Sequence, residues 1–479
     1  MVLGTSSHVG KSLITAALCR IFRRRGLKVA PFKAQNMSNN AAVCEGGEIG
    51  RAQALQARAA GIAPSVHMNP ILLKPVGEQR SQVVVAGRVA GTMDVAAYHR
   101  FKEQQGRRIV TEHYRALADT VDVVVIEGAG SPVEINLKAH DLANLWVADM
   151  ADAPVLLVGD IDRGGVLAAL VGTIELMAPH ERKRVAGFVI NKFRGDESLL
   201  KPALDYLDAR YGVPTLGVIP HIDHHLPEED GVGVRDRAAR AGRCVNVGIV
   251  RLPRIANFTD FDPFAVEPDV AVSYVSRPEQ ARGLDLLILP GSKATIADLH
   301  WLRERGLDRA ILDHAASGLP LIGICGGYQM LGRRIDDPHG VETGGAADGL
   351  GLLDVVTTMA ADKRCAAATY TPAGTRLGAA PVSGYEIHMG RSAAASGEAL
   401  FADAPDGTGV ARGNVWGAYL HGLFDNDAAR RAVLAPPRAL RGLPEPPPVC
   451  YADTLEQAID AFADTVAAHL DLEALHGLV

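Results

Sequence analysis

Between residue 2 and about residue 220, short apolar runs rich in β-branched side chains alternate with longer stretches whose apolar positions recur every three or four residues. The runs are 27–32, 121–126, 153–159, 185–190 and 215–219. The stretches 12–25, 49–61 and 163–177 read as helices, the first with Leu13, Ala17 and Ile21 along one face. Runs that are apolar throughout predict parallel strands covered by helices on both faces. Val2 and Leu3 alone precede Gly4, which is short for a first strand and leads to the expectation of residues further upstream. Residues 226–243 are polar, broken by glycine and without a sustained apolar period, as in an interdomain linker. The alternation then restarts at 245–250, 270–275, 284–289 and 319–324, with further strands expected near 352–358, 381–387 and 415–420. A cluster of Pro444, Pro446, Pro447 and Pro448 precedes a helical pattern from about 453 to 470. The expected fold is α/β, with two doubly wound domains at 1–230 and 245–435, a linker at 231–244 and a C-terminal helical extension at 436–479.

Composition narrows the class. The 479 residues carry 49 Lys+Arg against 55 Asp+Glu, a net charge of −6 that gives no support to a nucleic-acid partner held through its phosphates. Hydrophobic content of 48% and charged content of 22% are those of a folded globular enzyme. No apolar run reaches the roughly 18 residues that would span a bilayer, so no membrane partner is expected. The stretch after Lys11 runs into Arg20, Arg23, Arg24 and Arg25, unlike a signal peptide. Six scattered cysteines without a C-x-x-C pair argue against a zinc knuckle or a disulfide framework and for a reduced, cytoplasmic setting.

The first chemical signal is Gly4-Thr-Ser-Ser-His-Val-Gly10-Lys11-Ser12, between an expected strand and an expected helix. Backbone N–H groups of such a loop wrap phosphates, Lys11 adds a point charge and Ser12 can ligate Mg²⁺. Five residues separate Gly4 from Gly10, one more than the usual loop. Glu127 follows the strand 121–126, at the sheet rim where ligands bind in open α/β folds, and can complete a metal shell. Asp160 and Asp162 follow the next strand, and Asn191-Lys192 end a further one, within reach of a nucleotide base.

The second signal is Gly323-Ile-Cys325-Gly-Gly327, after the strand 319–324 and before a helical stretch. A sharp turn of this form exposes a nucleophile, with the Gly326 N–H aimed where an oxyanion forms. Gly291 and Ser292, ending another strand, can lend a second oxyanion donor. His421, directly after the strand 415–420, is the leading candidate for the base, with His388 as runner-up. His221, His224 and His225 read as solvated loop residues.

Together these residues resemble the corrinoid amidases, in which a dethiobiotin-synthetase-like P-loop domain is joined to a class I glutamine amidotransferase domain. Pro31-Phe-Lys-Ala-Gln-Asn-Met-Ser-Asn-Asn40, Glu48-Ile-Gly-Arg-Ala-Gln-Ala54, Asn69-Pro-Ile-Leu-Leu-Lys-Pro75 and Gly159-Asp-Ile-Asp-Arg-Gly-Gly165 are similar to the cobyric acid synthase branch. That resemblance implies ATP- and glutamine-dependent amidation of the b, d, e and g carboxylates of adenosylcobyrinic acid a,c-diamide. It implies that Gly10, Lys11 and Ser12 hold ATP and Mg²⁺, that Glu127 supports the metal and that Asn191 and Lys192 lie near the base. It further implies that Lys33, Gln35, Asn36 and Asn39 face the γ-phosphate and the acceptor carboxylate. Lys33, Lys74, Arg80 and Arg88 are candidates for attracting the polyanionic substrate. Class I amidotransferases usually carry Glu two residues after the histidine, but position 423 is Leu, so something else, such as a backbone carbonyl, must orient His421. Two alternatives stand beside this reading: the sister enzyme that amidates the a and c carboxylates, and a non-catalytic P-loop scaffold.

Overall fold

The computed structural model describes residues 1–77, 79–229, 236 and 244–479. The expected linker at 231–244 therefore lies outside the described residues, apart from Asp236 and Cys244. In the first half, Val29–Phe32, Val123–Ile126, Val2–Gly4, Val155–Asp160, Val185–Phe193 and Thr215–Pro220 lie side by side in that order, all parallel. The three residues Val2–Gly4 do form a strand, because all are buried and pair with Leu156–Val158, while Val2 also joins Glu127 and Gly128 on the other side. Successive side chains point to opposite faces. Val2, Leu156, Val158 and Val189 meet the helix Lys11–Arg24, while Leu3, Leu157, Phe188 and Ile190 meet the helix Val166–Leu176.

An insertion departs from the α/β alternation. Gln35–Met37, Ile71–Pro75, Arg80–Val85 and Arg88–Asp94 form a separate four-stranded sheet. The helix expected at 49–61 begins only at Arg51, because Gly47–Gly50 pairs with Ala41–Cys44 as a hairpin.

The second half holds a seven-stranded sheet. Val270–Val275, Val245–Val250, Leu286–Leu289, Leu321–Ile324 and Val415–Ala418 are parallel, and Gly409–Arg412 and Glu398–Ala399 extend it antiparallel. The strands expected near 352–358 and 381–387 exist but leave this sheet. Val355–Tyr370 and Val382–Ala394 pair as a long hairpin that reaches the first half, where Lys363 binds Glu48 and Gln82 approaches the Met389 sulfur at 3.4 Å.

The helix Tyr451–Ala468 also returns to the first half. Its Leu455, Ile459, Phe462, Ala463 and Val466 share a core with Ile14, Leu18 and Ile21 of the P-loop helix. Full burial stabilises by roughly 1.5–3 kcal/mol for each large side chain. Arg20 adds an ion pair to Glu456 at 2.6 Å. Among the described residues no helix is long and apolar enough to cross a membrane.

Candidate functional site

Two cavities gather most of the candidate residues. The larger, of about 770 Å³, opens at the rim of the first parallel sheet and is lined by Gly10, Lys11, Ser12, Lys33, Asn191 and Lys192. Gly10 has φ 100°, a left-handed conformation that lets the loop turn into the helix beginning at Lys11. The Lys11 ammonium donates to the carbonyls of Ser6 and Gly130 at 2.9 and 3.1 Å. Asn191 fastens the loop through a 2.8 Å bond to the Val9 carbonyl, and Lys192 joins the His8 carbonyl and Asp160 at 2.7 and 2.8 Å.

Ser12 Oγ lies 2.7 Å from Glu127 and 2.6 Å from Glu229. A hydroxyl has one proton, so it can satisfy only one of two ionised carboxylates. Lys33 bridges both, at 2.8 and 2.7 Å. Burial opposes its charge, yet Glu127 and Glu229 keep the Lys33 ammonium protonated well above the ordinary lysine range. Burial likewise opposes ionisation of Glu229, but Lys33 holds its carboxyl below the usual value. Three hard oxygens converging beside a phosphate loop fit Mg²⁺. Glu229 joins this cluster without any sequence motif to mark it, since it comes from the polar segment after the last strand.

The Lys33–Asn40 stretch divides between sites. Asn36 lines the P-loop cavity, held by Gln53 at 3.0 Å. Gln35 instead accepts a 2.6 Å bond from Tyr98 and lines neither cavity, and Asn39 lines the other cavity. Lys33 and Lys74 are buried and ion-paired rather than presented to solvent, whereas Arg80 and Arg88 are exposed. His221, His224 and His225 also border the P-loop cavity, with the His224 ring edge-on to Phe462 at 5.6 Å.

The smaller cavity, of about 40 Å³, surrounds Cys325 and His421. Cys325 has φ 49°, a strained conformation for a residue with a side chain, at the turn between the strand Leu321–Ile324 and the helix Gly326–Leu331. Gly327 permits the turn: a Cβ there would lie 2.0 Å from the Leu289 carbonyl oxygen. The neighbouring parallel strand, Val415–Ala418, delivers His421 to the same rim. Gly291 and Ser292 border the cavity too, and Gly326 packs against the Ser292 backbone.

The partner that orients His421 is Asp260, not a backbone carbonyl. Its carboxylate lies 2.6 Å from His421 Nδ1 and accepts the Gly422 N–H at 3.1 Å. Burial disfavours the imidazolium, but Asp260, and secondarily Cys325, raise the His421 pKa to about 10. With Nδ1 taken by Asp260, Nε2 is the ring nitrogen left for Cys325, which also acts on the histidine. His388, the runner-up, is held by Glu386 at 3.1 Å and the Gly390 carbonyl at 2.8 Å, so both ring nitrogens are engaged.

A phosphate loop at the rim of one parallel sheet and a cysteine–histidine–aspartate line at the rim of a second define a nucleotide-binding domain joined to a glutamine amidotransferase. Residues 1–230 match the CobQ/CobB/MinD/ParA nucleotide binding domain, and residues 246–429 the CobB/CobQ-like glutamine amidotransferase domain. Over its whole length the chain is 50% identical to the cobyric acid synthase of Moorella thermoacetica, covering 96% of that protein. It is also 51% identical to the one from Desulforudis audaxviator and 46% identical to the one from Salmonella typhimurium, covering 98% of each. The chain belongs to the cobyric acid synthase family, glutamine amidotransferases that act as ligases in cobalamin biosynthesis.

Proposed function

We propose that this enzyme converts the b, d, e and g carboxylates of adenosylcobyrinic acid a,c-diamide to amides, using glutamine and ATP. The observation that carries the reading is the pairing of the Cys325–His421–Asp260 line with an oxygen-lined P-loop cavity in one chain. Cys325 attacks the glutamine side-chain amide and His421 passes its proton to the leaving ammonia. Gly326, with Gly291 and Ser292, supplies backbone donors for the oxyanion.

A carboxylate resists amines until it is activated, and ATP can do this by forming an acyl phosphate. Gly10, Lys11 and Ser12 bind the phosphates, and Asn191 and Lys192 hold the nucleotide side of the loop. Ser12, Glu127 and Glu229 would hold Mg²⁺, which neutralises charge on the transferring phosphoryl group. Lys33 and Asn36 face the acceptor carboxylate, while Asn39 belongs to the glutamine side. Ammonia passes between the sites inside the protein, because ammonium in bulk water is no nucleophile. The boundaries 1–230 and 245–435 separate the two activities. The six unpaired cysteines support a reducing, cytoplasmic setting.

Mass spectrometry of adenosylcobyrinic a,c-diamide incubated with the protein, glutamine and Mg·ATP tests this. Up to four amides should form stepwise; Cys325→Ala should abolish this with glutamine and retain it with added ammonia. An unchanged corrinoid, with two amides gained instead by the precursor lacking them, would identify the a,c-diamide reaction. Nitrogen from labelled glutamine should reach the product against an excess of unlabelled ammonium, and full equilibration would refute internal transfer.

A further inference from the structure

The loop 254–260 carries more of the amidotransferase half than Asp260 alone. Ile255 and Ala256 pair antiparallel with Ser292 and Gly291, the residues read as oxyanion donors. The Arg254 carbonyl accepts the Lys293 N–H at 3.0 Å and extends that pairing. Asp260, 2.6 Å from His421, closes the same loop. One short segment therefore sets both the oxyanion backbone and the carboxylate behind the histidine.

Asn257 sits at the bend between these two parts. Its φ of 51° is left-handed, a conformation that asparagine tolerates better than most residues with a side chain. Its carbonyl accepts the Asp260 N–H at 3.0 Å, so the bend leads directly into the turn that presents Asp260. The Asn257 side chain is 3% exposed, and its oxygen accepts the Ala41 N–H at 2.9 Å. Ala41 opens the hairpin strand Ala41–Cys44 of the first half. Thr259 takes the same direction, donating to the Asn40 side-chain oxygen at 3.3 Å and accepting from Arg51 at 3.2 Å. A sparsely populated backbone conformation persists where its surroundings over-determine it, and here those surroundings belong to the first half.

We propose that Asn257 is a positioning residue for glutamine hydrolysis: bonded to Ala41, it holds the loop so that Asp260 and the backbone of Gly291 and Ser292 stand in register with Cys325 and His421. This rests on the reading of Cys325 and His421 as the glutaminase pair. The amidotransferase half is then complete only when it is seated on the hairpin of the first half.

Full-length wild type, Asn257→Gly, Asn257→Asp, Ala41→Pro and Cys325→Ala test the proposal. Each is assayed for ammonia release from glutamine and for amidation of adenosylcobyrinic a,c-diamide driven by added ammonia. Asn257→Gly suits the left-handed backbone but lacks the acceptor. It should lower glutaminase kcat about a hundredfold, as for a displacement of about 1 Å, with KM changed far less. Ammonia-driven amidation should remain as in wild type, and the His421 ring titration should move down from about 10. Asn257→Asp keeps an acceptor oxygen and the same backbone tolerance, and should recover part of the lost kcat. Ala41→Pro deletes the N–H from the other side, at the first position of a strand, where proline is tolerated. It should reproduce the loss, and combining it with Asn257→Gly should cost no more than either change alone. If Asn257→Gly does not fold, Ala41→Pro decides by the same measurements. An unchanged kcat overturns the proposal, and so does a rise in KM alone, which would make Asn257 a contact of glutamine. An equal loss of both activities with an unmoved His421 titration also overturns it, as the mark of a merely structural role. If Cys325→Ala hydrolyses glutamine like wild type, the nucleophile assignment itself falls and the proposal falls with it.

Discussion

Asp260 reaches His421 across 161 positions of sequence, and no local motif announces that contact. Lys11, Ser12, Cys325 and His421 were legible because each sits in a short pattern whose neighbours shape its own turn. Asp260 and Glu229 were not, because their roles depend on loops from distant strands converging on one rim. Asp260→Asn should keep the hydrogen bond but lose the charge that stabilises the imidazolium. The expected outcome is a fall in glutamine kcat/KM of about two to four orders of magnitude. The His421 titration, read by NMR of the ring, should move from about 10 toward the ordinary 6.5. Because the folded value is raised, its stabilisation is complete below about 6.5 and disappears as pH rises through about 10. The variant should therefore lose more stability at pH 6 than at pH 10.5, and a titration midpoint unmoved from 10 would exclude Asp260 as the cause.

Elements with continuous apolar runs are legible in the sequence, since burial on both faces leaves the pattern no alternative. The strands 245–250 and 270–275 match residue for residue. The partners of 355–370 and 382–394 were not readable, because a half-exposed hairpin can cover any neighbouring surface and its length here lets it cross to the first half. The helix Tyr451–Ala468 shows the same limit: its period was visible, but nothing in it named the P-loop helix as its target. Phe462 is 7% exposed and sits between that helix and His224. Phe462→Ala should cost about 3–5 kcal/mol in urea unfolding, as for other buried aromatics. A loss below about 1 kcal/mol would mean that the cavity collapses freely and the helix is only loosely applied.

On the scale of the whole molecule, one short helix, Arg51–Ala60, has contacts leading to both candidate sites. Gln56 and Gln53 hold Glu127 at 2.6 and 3.4 Å, on the phosphate side. Arg51, at the start of the same helix, donates to the Tyr385 hydroxyl at 2.7 Å and to Thr259 at 3.2 Å, on the amidotransferase side. Tyr385 in turn lies parallel to the His421 ring at 5.3 Å and donates to Asp260 at 3.5 Å. The cavity at Cys325 has room for a few water molecules at most, and its walls include Asn39 and Lys74 from the first half, so the proposed binding of glutamine there requires those walls to part. If, as proposed, Glu127 helps to hold metal and nucleotide, a shift of this helix on their binding bears on Asp260 through Tyr385. Glutaminase activity should rise when Mg·ATP and the acceptor are bound. Arg51→Met leaves Gln53 and Gln56 in place but cuts the line to Tyr385. It should lower that rise toward a ratio of one, while amidation driven by added ammonia continues. If the ratio of glutaminase rates with and without Mg·ATP and acceptor is the same in Arg51→Met as in wild type, this helix does not link the sites.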